Sequence, residues 1–184
     1  IESIMAEEVA EIFSKHIFSS KYEDLSEKTI KQLKVFLLDT IGVGIAGSTG
    51  SKLNELKKIA HTWSKGKNCT VLGTWDRYSR DASTLINAYQ IHCLEFDCIH
   101  EGAVVHPMAA ILSSLLAHCE EINNLEHHTN GKEFLISLAL GVDIASFLGI
   151  CARGELKFFR PATASGFGAV AVSYTHLTLP TKDS

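Results

Sequence analysis

The chain has 184 residues, of which 46% are hydrophobic and 8% aromatic, a composition typical of a globular domain. Its net charge of -4 comes from 17 basic and 21 acidic side chains spread along the sequence. No basic block is available to hold a nucleic-acid backbone. The five cysteines form no C-x-x-C pair, which disfavours a disulfide framework and a zinc ribbon. We therefore expect a cytoplasmic protein that binds no nucleic acid.

The N-terminal residues lack the basic segment and apolar core of a signal peptide. We find no apolar run close to the roughly 20 residues that cross a bilayer, so no membrane association is expected. The chain begins with Ile1 rather than methionine, and we expect further residues of the gene product to precede it.

Apolar residues recur at helical spacing along most of the sequence. A first amphipathic helix is predicted over about 5–17, a second from the N-cap Ser26 to the glycine cluster at 47–50, and a third over about 52–64. The β-prone run at 69–73 predicts one brief extended piece rather than a sheet.

Helices resume at about residue 81, and the fourth is predicted to reach about 95. The fifth follows Pro107 and is apolar or small almost all the way round from 108 to 119, which is typical of a central helix. Asn130 and Glu133 predict the N-terminus of a sixth helix that runs toward 148. Because strands and helices do not alternate, the predicted fold is an all-α helical bundle.

The last residues break the helical pattern. A small-residue helix is predicted up to Val172, but residues 173–182 have no helical period and contain Pro180. The string resembles translated sequencing-adaptor DNA. We therefore predict one helical domain over 1–172 and a non-native tail over 173–184.

The glycines of residues 42–47 match the dinucleotide fingerprint G-x-G-x-x-G. That fingerprint requires a strand before it and a helix N-terminus after it, whereas these glycines close a predicted helix. We expect them to let a neighbouring helix approach closely.

The most informative stretch is HCLEFDCIHEGAVVHP at 92–107, with three histidines and three carboxylates in sixteen residues. Polar groups placed between two apolar helices must be hydrogen-bonded, ion-paired or functional. Asp97 and His100 would share a face if the helix continued that far, and a histidine beside a carboxylate serves as a general acid or base. We interpret the stretch as functional rather than merely structural.

A metal site competes with that interpretation, because His92, Asp97, His100 and His106 are all possible ligands. Their spacing matches neither H-E-x-x-H nor paired Glu-x-x-His motifs, so we expect no metal. Further along the chain, Arg160 and Thr163 stand just before the predicted small-residue helix. They indicate a carboxylate-binding corner, with an arginine on a solvated loop and a capping threonine as the alternative.

Three segments occur in the order and at about the spacing seen in the MmgE/PrpD family: LDTIGVGIAG at 38–47, the stretch at 92–107, and PATASGFGA at 161–169. The chain resembles this family over residues 4–172. The resemblance implies a large helical domain followed by a smaller α+β lid, usually in a homodimer. It implies a cofactor-independent enzyme for small di- or tricarboxylates, such as 2-methylcitrate dehydratases, cis-aconitate decarboxylases and certain epimerases.

By position, the resemblance makes His106 the active-site histidine and Asp97 the second acidic residue of the motif. Glu95 stands where an active-site aspartate is common. Cys98 replaces a frequent second aspartate and Arg160 a frequent histidine, which leaves the reaction subtype open.

The resemblance predicts a 2-methylcitrate dehydratase-like reaction in which His106 transfers a proton and Asp97 orients His106 or its neighbour. Glu95, His100, Arg160 and Thr163 are predicted to bind substrate. The family's catalytic lysine and lid would lie beyond residue 184, so we expect an incomplete and inactive site in this chain. Two alternatives stay open: a non-catalytic helical binding module, and a metal-dependent hydrolase that uses the His/Asp cluster.

Overall fold

The computed structural model describes residues 2–123, 128–152 and 159–175, with side chains from residue 11 to residue 173 within those ranges. Over these residues the chain forms seven helices and one small sheet, which confirms the predicted all-α bundle. The elements are α1 (Glu2–Ser19), α2 (Glu27–Ala46), α3 (Leu53–Trp63), β1 (Cys69–Thr70), β2 (Arg77–Tyr78), α4 (Arg80–His92), α5 (Pro107–Asn123), α6 (Gly131–Cys151) and α7 (Arg160–Thr175).

Two helices begin at the caps that the sequence predicts. The Ser26 hydroxyl accepts a hydrogen bond from the Thr29 backbone N–H at the start of α2. At the start of α6, the Asn130 side chain accepts from the Glu133 backbone N–H, and the Glu133 carboxylate accepts from the Asn130 N–H. Both arrangements satisfy amide groups that a helix start leaves without a partner inside the helix.

The extended piece predicted at 69–73 is present, and it pairs with a second strand that the sequence does not predict. β1 and β2 are antiparallel, with Cys69 opposite Tyr78 and Thr70 opposite Arg77. The turn between them uses positive φ angles at Gly73 and Trp75. A two-residue strand is too short to show an alternating pattern, so only its pairing reveals it.

Helix α5 occupies the centre of the bundle, as its even apolar character predicts. Its side chains form the largest core cluster together with residues of α2, α6 and α7, and it also packs against α4. The buried α5 residues at the centre of this cluster are Met108, Ile111, Leu112 and Leu115, each no more than 1% exposed.

Small residues set the closest helix approaches. A Cβ placed on Gly47 would collide with the backbone carbonyl of Gln90 in α4, and one on Gly44 would lie 2.8 Å from Leu72 Cδ1. Helices α6 and α7 approach similarly, since a Cβ on Gly141 would lie 2.6 Å from Val172 Cγ1. Residues 42–46 lie inside α2, with no strand before them. The structure therefore confirms the packing interpretation of these glycines.

Helix α6 is long and apolar enough to cross a membrane by length and composition, which corrects our expectation that no run approaches such a length. Among the described residues, 56% of the apolar 18-residue stretch of α6 is buried within the protein. Residues Glu27–Thr49 and Leu53–Trp63 are together also long and apolar enough to cross a membrane, although the two parts are bent by 95° relative to each other. The core helix of a soluble protein meets the same criteria.

Helix α7 extends to Thr175 and thus includes the first three residues of the predicted tail. Residues 176–184 lie outside the described residues. The prediction that this tail is non-native stays a prediction.

The close α2–α4 approach generates a stability prediction. Replacing Gly47 with alanine should lower the free energy of unfolding by about 1–3 kcal/mol, because the new methyl group overpacks the Gln90 backbone. Gly42, which lies within α2, has no neighbouring atom within 4 Å of the position that a methyl group would take. Gly42→Ala should therefore raise the free energy of unfolding by about 0.5–1 kcal/mol. Urea denaturation measures the free energy of unfolding of both variants. If Gly47→Ala and Gly42→Ala change it in the same direction, the packing account is contradicted.

Thiol reactivity should follow burial. Burial, followed by the negative charges of Glu120 and Glu121, raises the pKa of the Cys69 thiol to about 11. Burial also raises the pKa of Cys119 to about 11, so little thiolate forms at pH 8. Cys151 is exposed. A disulfide reagent at pH 8 should modify Cys151 first, and Cys69 and Cys119 only after denaturation; rapid native modification of either buried thiol would contradict this packing.

Candidate functional site

The loop of residues 93–106 joins the end of α4 to the start of α5 and carries most of the predicted site. It contains a tight turn in which the His100 N–H donates to the Val105 carbonyl at 2.9 Å. Val104 within that turn has a positive φ of 53°, an unusual conformation for a β-branched residue. Ala103 and Val105 are fully buried against Ala164 of α7. The loop is therefore anchored to the bundle on its inner side.

Asp97 is the buried carboxylate of this loop, and its side chain is only 1% exposed. His92 Nδ1 lies 3.0 Å from both Asp97 carboxylate oxygens, and His106 Nδ1 lies 3.2 Å from Oδ2. The two imidazole centroids are 5.1 Å apart, with the rings tilted by 70°. We call these three residues the His–Asp–His cluster.

The hydrogen bonds define which nitrogen each ring offers. An ionised carboxylate can only accept, so His92 and His106 both donate through Nδ1. In a neutral ring of this tautomer, Nε2 carries the lone pair. The side chains of His92 and His106 are 41% and 24% exposed. Each ring is thus held from one side and accessible from the other.

A cavity of about 190 Å³ lies beside the cluster. Its lining includes both imidazoles, Ala109 of α5 and the segment that begins α7. A second, open groove of about 770 Å³ shares Ala88 and Ala110 with it and continues along α4 and α5 toward Arg80. A small molecule in the cavity would contact both histidines and the N-terminal end of α7.

His92 is the member of the cluster that the sequence indicates only as a possible metal ligand. It is the last residue of α4. Because α4 ends there and not near 95 as predicted, the loop turns back and brings Asp97 to the His92 ring. The sequence would have indicated the contact between His92 and Asp97 only if the end of α4 at His92 had been predicted correctly.

The early end of α4 also separates His100 from Asp97. The two residues were expected to share a helix face, but both lie in the loop. His100 is exposed, and its Nδ1 accepts a hydrogen bond from the Ala103 N–H at 3.1 Å. Glu95 has a positive φ of 55°, and its exposed carboxylate lies 3.8 Å from His92 Nε2. The structure therefore places Glu95 at the edge of the cluster and His100 outside it.

Arg160 and Thr163 lie within α7 instead of before it, because the helix begins at Arg160. The neighbours of Arg160 in sequence, Phe159 and Pro161, line the cavity, while the Thr163 hydroxyl donates to the Phe159 carbonyl at 3.2 Å. Ser165 of the same helix donates to the His106 carbonyl at 3.3 Å. The N-terminal turns of α7 are thus tied to the cluster.

Cys98 stands beside Asp97 as a neutral group. Burial, followed by the charges of Asp97 and Asp39, raises the pKa of its thiol above the usual value. The Cys98 thiol therefore adds no negative charge next to the buried Asp97 carboxylate.

Among the described residues, His92, Asp97 and His106 are a group that could hold a metal ion, with their ligand atoms within 4.8 Å of one another.

Comparison with known proteins identifies the family. The profile of the MmgE/PrpD N-terminal domain matches residues 11–183, and the chain belongs to this family. Human cis-aconitate decarboxylase is 25% identical over 181 residues, which cover 96% of this chain and 37% of that protein. The cis-aconitate decarboxylase-like protein oryM of Aspergillus oryzae is 26% identical over 137 residues, 73% of this chain and 28% of that protein. The chain thus spans about a third of the length of these relatives.

The shared carboxylate predicts that Asp97 matters to stability. Asp97→Asn removes one anionic acceptor that serves two imidazole donors, and should lower the free energy of unfolding by about 1.5–3 kcal/mol, the range for hydrogen bonds to charged groups. Glu95→Gln is the control, because that exposed side chain makes only a 3.8 Å contact with His92. In chemical denaturation, the free energy of unfolding of Glu95→Gln should lie within about 0.5 kcal/mol of that of the parent. Equal effects of the two variants would argue against the cluster.

Proposed function

We propose that this chain forms the proton-transfer part of a lyase that acts on a small di- or tricarboxylate. The observation that carries the proposal is the His106 imidazole, held through Nδ1 by the buried Asp97 carboxylate and lining a small cavity. A carboxylate in this position fixes the tautomer and the orientation of the histidine. The names of the matched relatives, which are cis-aconitate decarboxylases, support a carboxylate as substrate.

His106 Nε2 would exchange a proton with the carbon next to a substrate carboxylate. In a decarboxylation, the bond to the departing CO₂ breaks, its electron pair stays on the substrate carbon, and a protonated His106 delivers the proton that neutralises it. In a dehydration of the 2-methylcitrate dehydratase type, neutral His106 removes a proton from carbon, the C–O bond to the β-hydroxyl breaks, and the departing oxygen takes that proton from the His106 imidazolium and leaves as water. We favour decarboxylation over dehydration because the matched relatives are named as cis-aconitate decarboxylases or as similar to them.

Substrate carboxylates need cations and hydrogen-bond donors at the cavity. The N-terminal end of α7 borders it, and helix N-termini favour anions. Arg160 is the first residue of that helix and would hold a carboxylate through two parallel hydrogen bonds. Thr163, His100 and Glu95 would lie around the substrate, and we include them as binding residues of lower importance because their described contacts are local.

His92 adds a second imidazole to the proposed site. It shares Asp97 with His106 and lines the same cavity. Its Nε2 would donate to or accept from a substrate oxygen while His106 moves the proton. No cofactor enters this scheme.

The proposal extends to parts that this chain does not include, because the relatives are about three times as long. We propose that further residues, including a catalytic lysine and an α+β lid, complete the active site in a cytoplasmic homodimer. The 184-residue chain alone would bind a carboxylate weakly and turn it over poorly or not at all.

A ligand titration of the 184-residue chain tests the proposal. Adding cis-aconitate or citrate in metal-free buffer should shift the NMR signals of His92 and His106 saturably, and should leave the exposed His61 of α3 unchanged. Arg160→Gln should weaken binding by roughly 10- to 100-fold, because a charged hydrogen-bond partner contributes about 1.5–3 kcal/mol.

Arg77→Gln is the matched control, since that side chain donates to the carbonyls of Lys67 and Asn68. Its affinity should equal that of the parent. A titration without any saturable histidine response would overturn the proposal and favour a non-catalytic helical module.

A further inference from the structure

The His–Asp–His cluster carries a second chemistry beyond proton transfer. We propose that it binds one divalent transition-metal ion of the zinc type through His92 Nδ1, His106 Nδ1 and an Asp97 carboxylate oxygen. The ion would use residues of the proposed lyase site, but its binding does not depend on that function.

The ligand set suits such an ion. Two imidazoles and one carboxylate are preferred ligands of Zn²⁺ and neighbouring transition metals, and leave one position open in a tetrahedral shell. The irregular spacing of residues 92, 97 and 106 disfavours a metal only if the ligands must share one helix. In the structure the three ligands come from the end of α4, the loop and the residue before α5, so folding brings them together.

The distances are close to those that coordination requires. Ligands at 2.0–2.1 Å from a tetrahedral ion are about 3.3 Å apart, and the nitrogen-to-oxygen distances here are 3.0 and 3.2 Å. All ligand atoms lie within 4.8 Å of one another, so no pair has to close by more than roughly 1.5 Å to reach the tetrahedral edge. The His92 ring, at the end of its helix and 41% exposed, has room for that movement.

Metal binding also requires a change of tautomer. The proton that each neutral ring now donates from Nδ1 to Asp97 must leave, and the ring takes up a proton at Nε2 from water. No net proton is released by a neutral ring. The Glu95 carboxylate lies 3.8 Å from His92 Nε2, so a small movement of either side chain would let it accept from the new Nε2–H. Carboxylates that accept from the second ring nitrogen commonly orient metal-binding histidines.

Three protein ligands would leave one coordination position open in a tetrahedral shell. Water or a carboxylate ligand would complete the shell there. A bound ion would occupy Asp97 and both Nδ1 atoms, so it would exclude the orientation that proton transfer by His106 uses. Metal binding and the proposed lyase chemistry are therefore mutually exclusive states of one cluster.

Calorimetric titration of the metal-free 184-residue chain with ZnCl₂ tests the inference. One ion should bind per chain, and His92→Gln and Asp97→Asn should each weaken binding at least about tenfold, the lower end of the loss seen even for outer partners of a metal site. His61→Gln, an exposed histidine outside the cluster, and Cys98→Ser, the thiol next to Asp97, are the controls and should bind as the parent does.

The inference is overturned if the parent binds no zinc, if His92→Gln binds as tightly as the parent, or if Cys98→Ser removes binding. Far-UV circular dichroism checks the fold of each variant. If Asp97→Asn loses helical signal, the result for His92→Gln decides, because the His92 side chain is 41% exposed and its replacement disturbs the core less than a change at the buried Asp97. If the chain binds zinc but its histidine signals do not respond to cis-aconitate or citrate, the proposed function fails and this inference stands. If the chain responds to the carboxylates but binds no zinc, this inference fails and the proposed function stands.

Discussion

The buried carboxylate of Asp97 is the interaction on which the described site depends. A carboxylate with 1% exposure is costly unless donors compensate for lost water. Here two imidazoles provide that compensation, one from the end of α4 and one from the residue before α5. The three elements must therefore keep their relative positions for the charge to remain buried. The same requirement fixes the nitrogen that each ring presents to the cavity.

The bundle provides the rigidity that this arrangement needs. Helix α5, which begins directly after His106, has a fully buried core face, and the Ser165 hydroxyl of α7 holds the His106 carbonyl. Small residues bring α2 against α4 and α6 against α7. Close packing of this kind resists small displacements. The cluster is consequently positioned by helices: His92 ends α4, His106 directly precedes α5, and Asp97 lies in the loop between them.

Periodicity and caps were sufficient to predict the helices, because their signals lie within each segment. Ser26 and Asn130 identify two helix starts from local chemistry alone. The end of α4 could not be predicted in this way, since the apolar pattern continues past His92 and the following loop is held by contacts of Ala103 and Val105 with Leu148 of α6 and Ala164 of α7. The second strand was missed for a similar reason, because Arg77–Tyr78 is recognisable only through its partner. The residue pattern paired Asp97 with His100, which the structure does not show; the contact of Asp97 with His106 was suggested only by the family resemblance, and His92 was found only once the loop had been placed.

The central claim is that a single buried carboxylate orients both imidazoles through Nδ1. The most direct measurement is the tautomer of each neutral ring in the metal-free, unliganded chain, obtained from long-range ¹H–¹⁵N NMR spectra at a pH where the rings are neutral. We predict that both His92 and His106 carry their proton on Nδ1. Protonation of either neutral ring on Nε2 would contradict this claim.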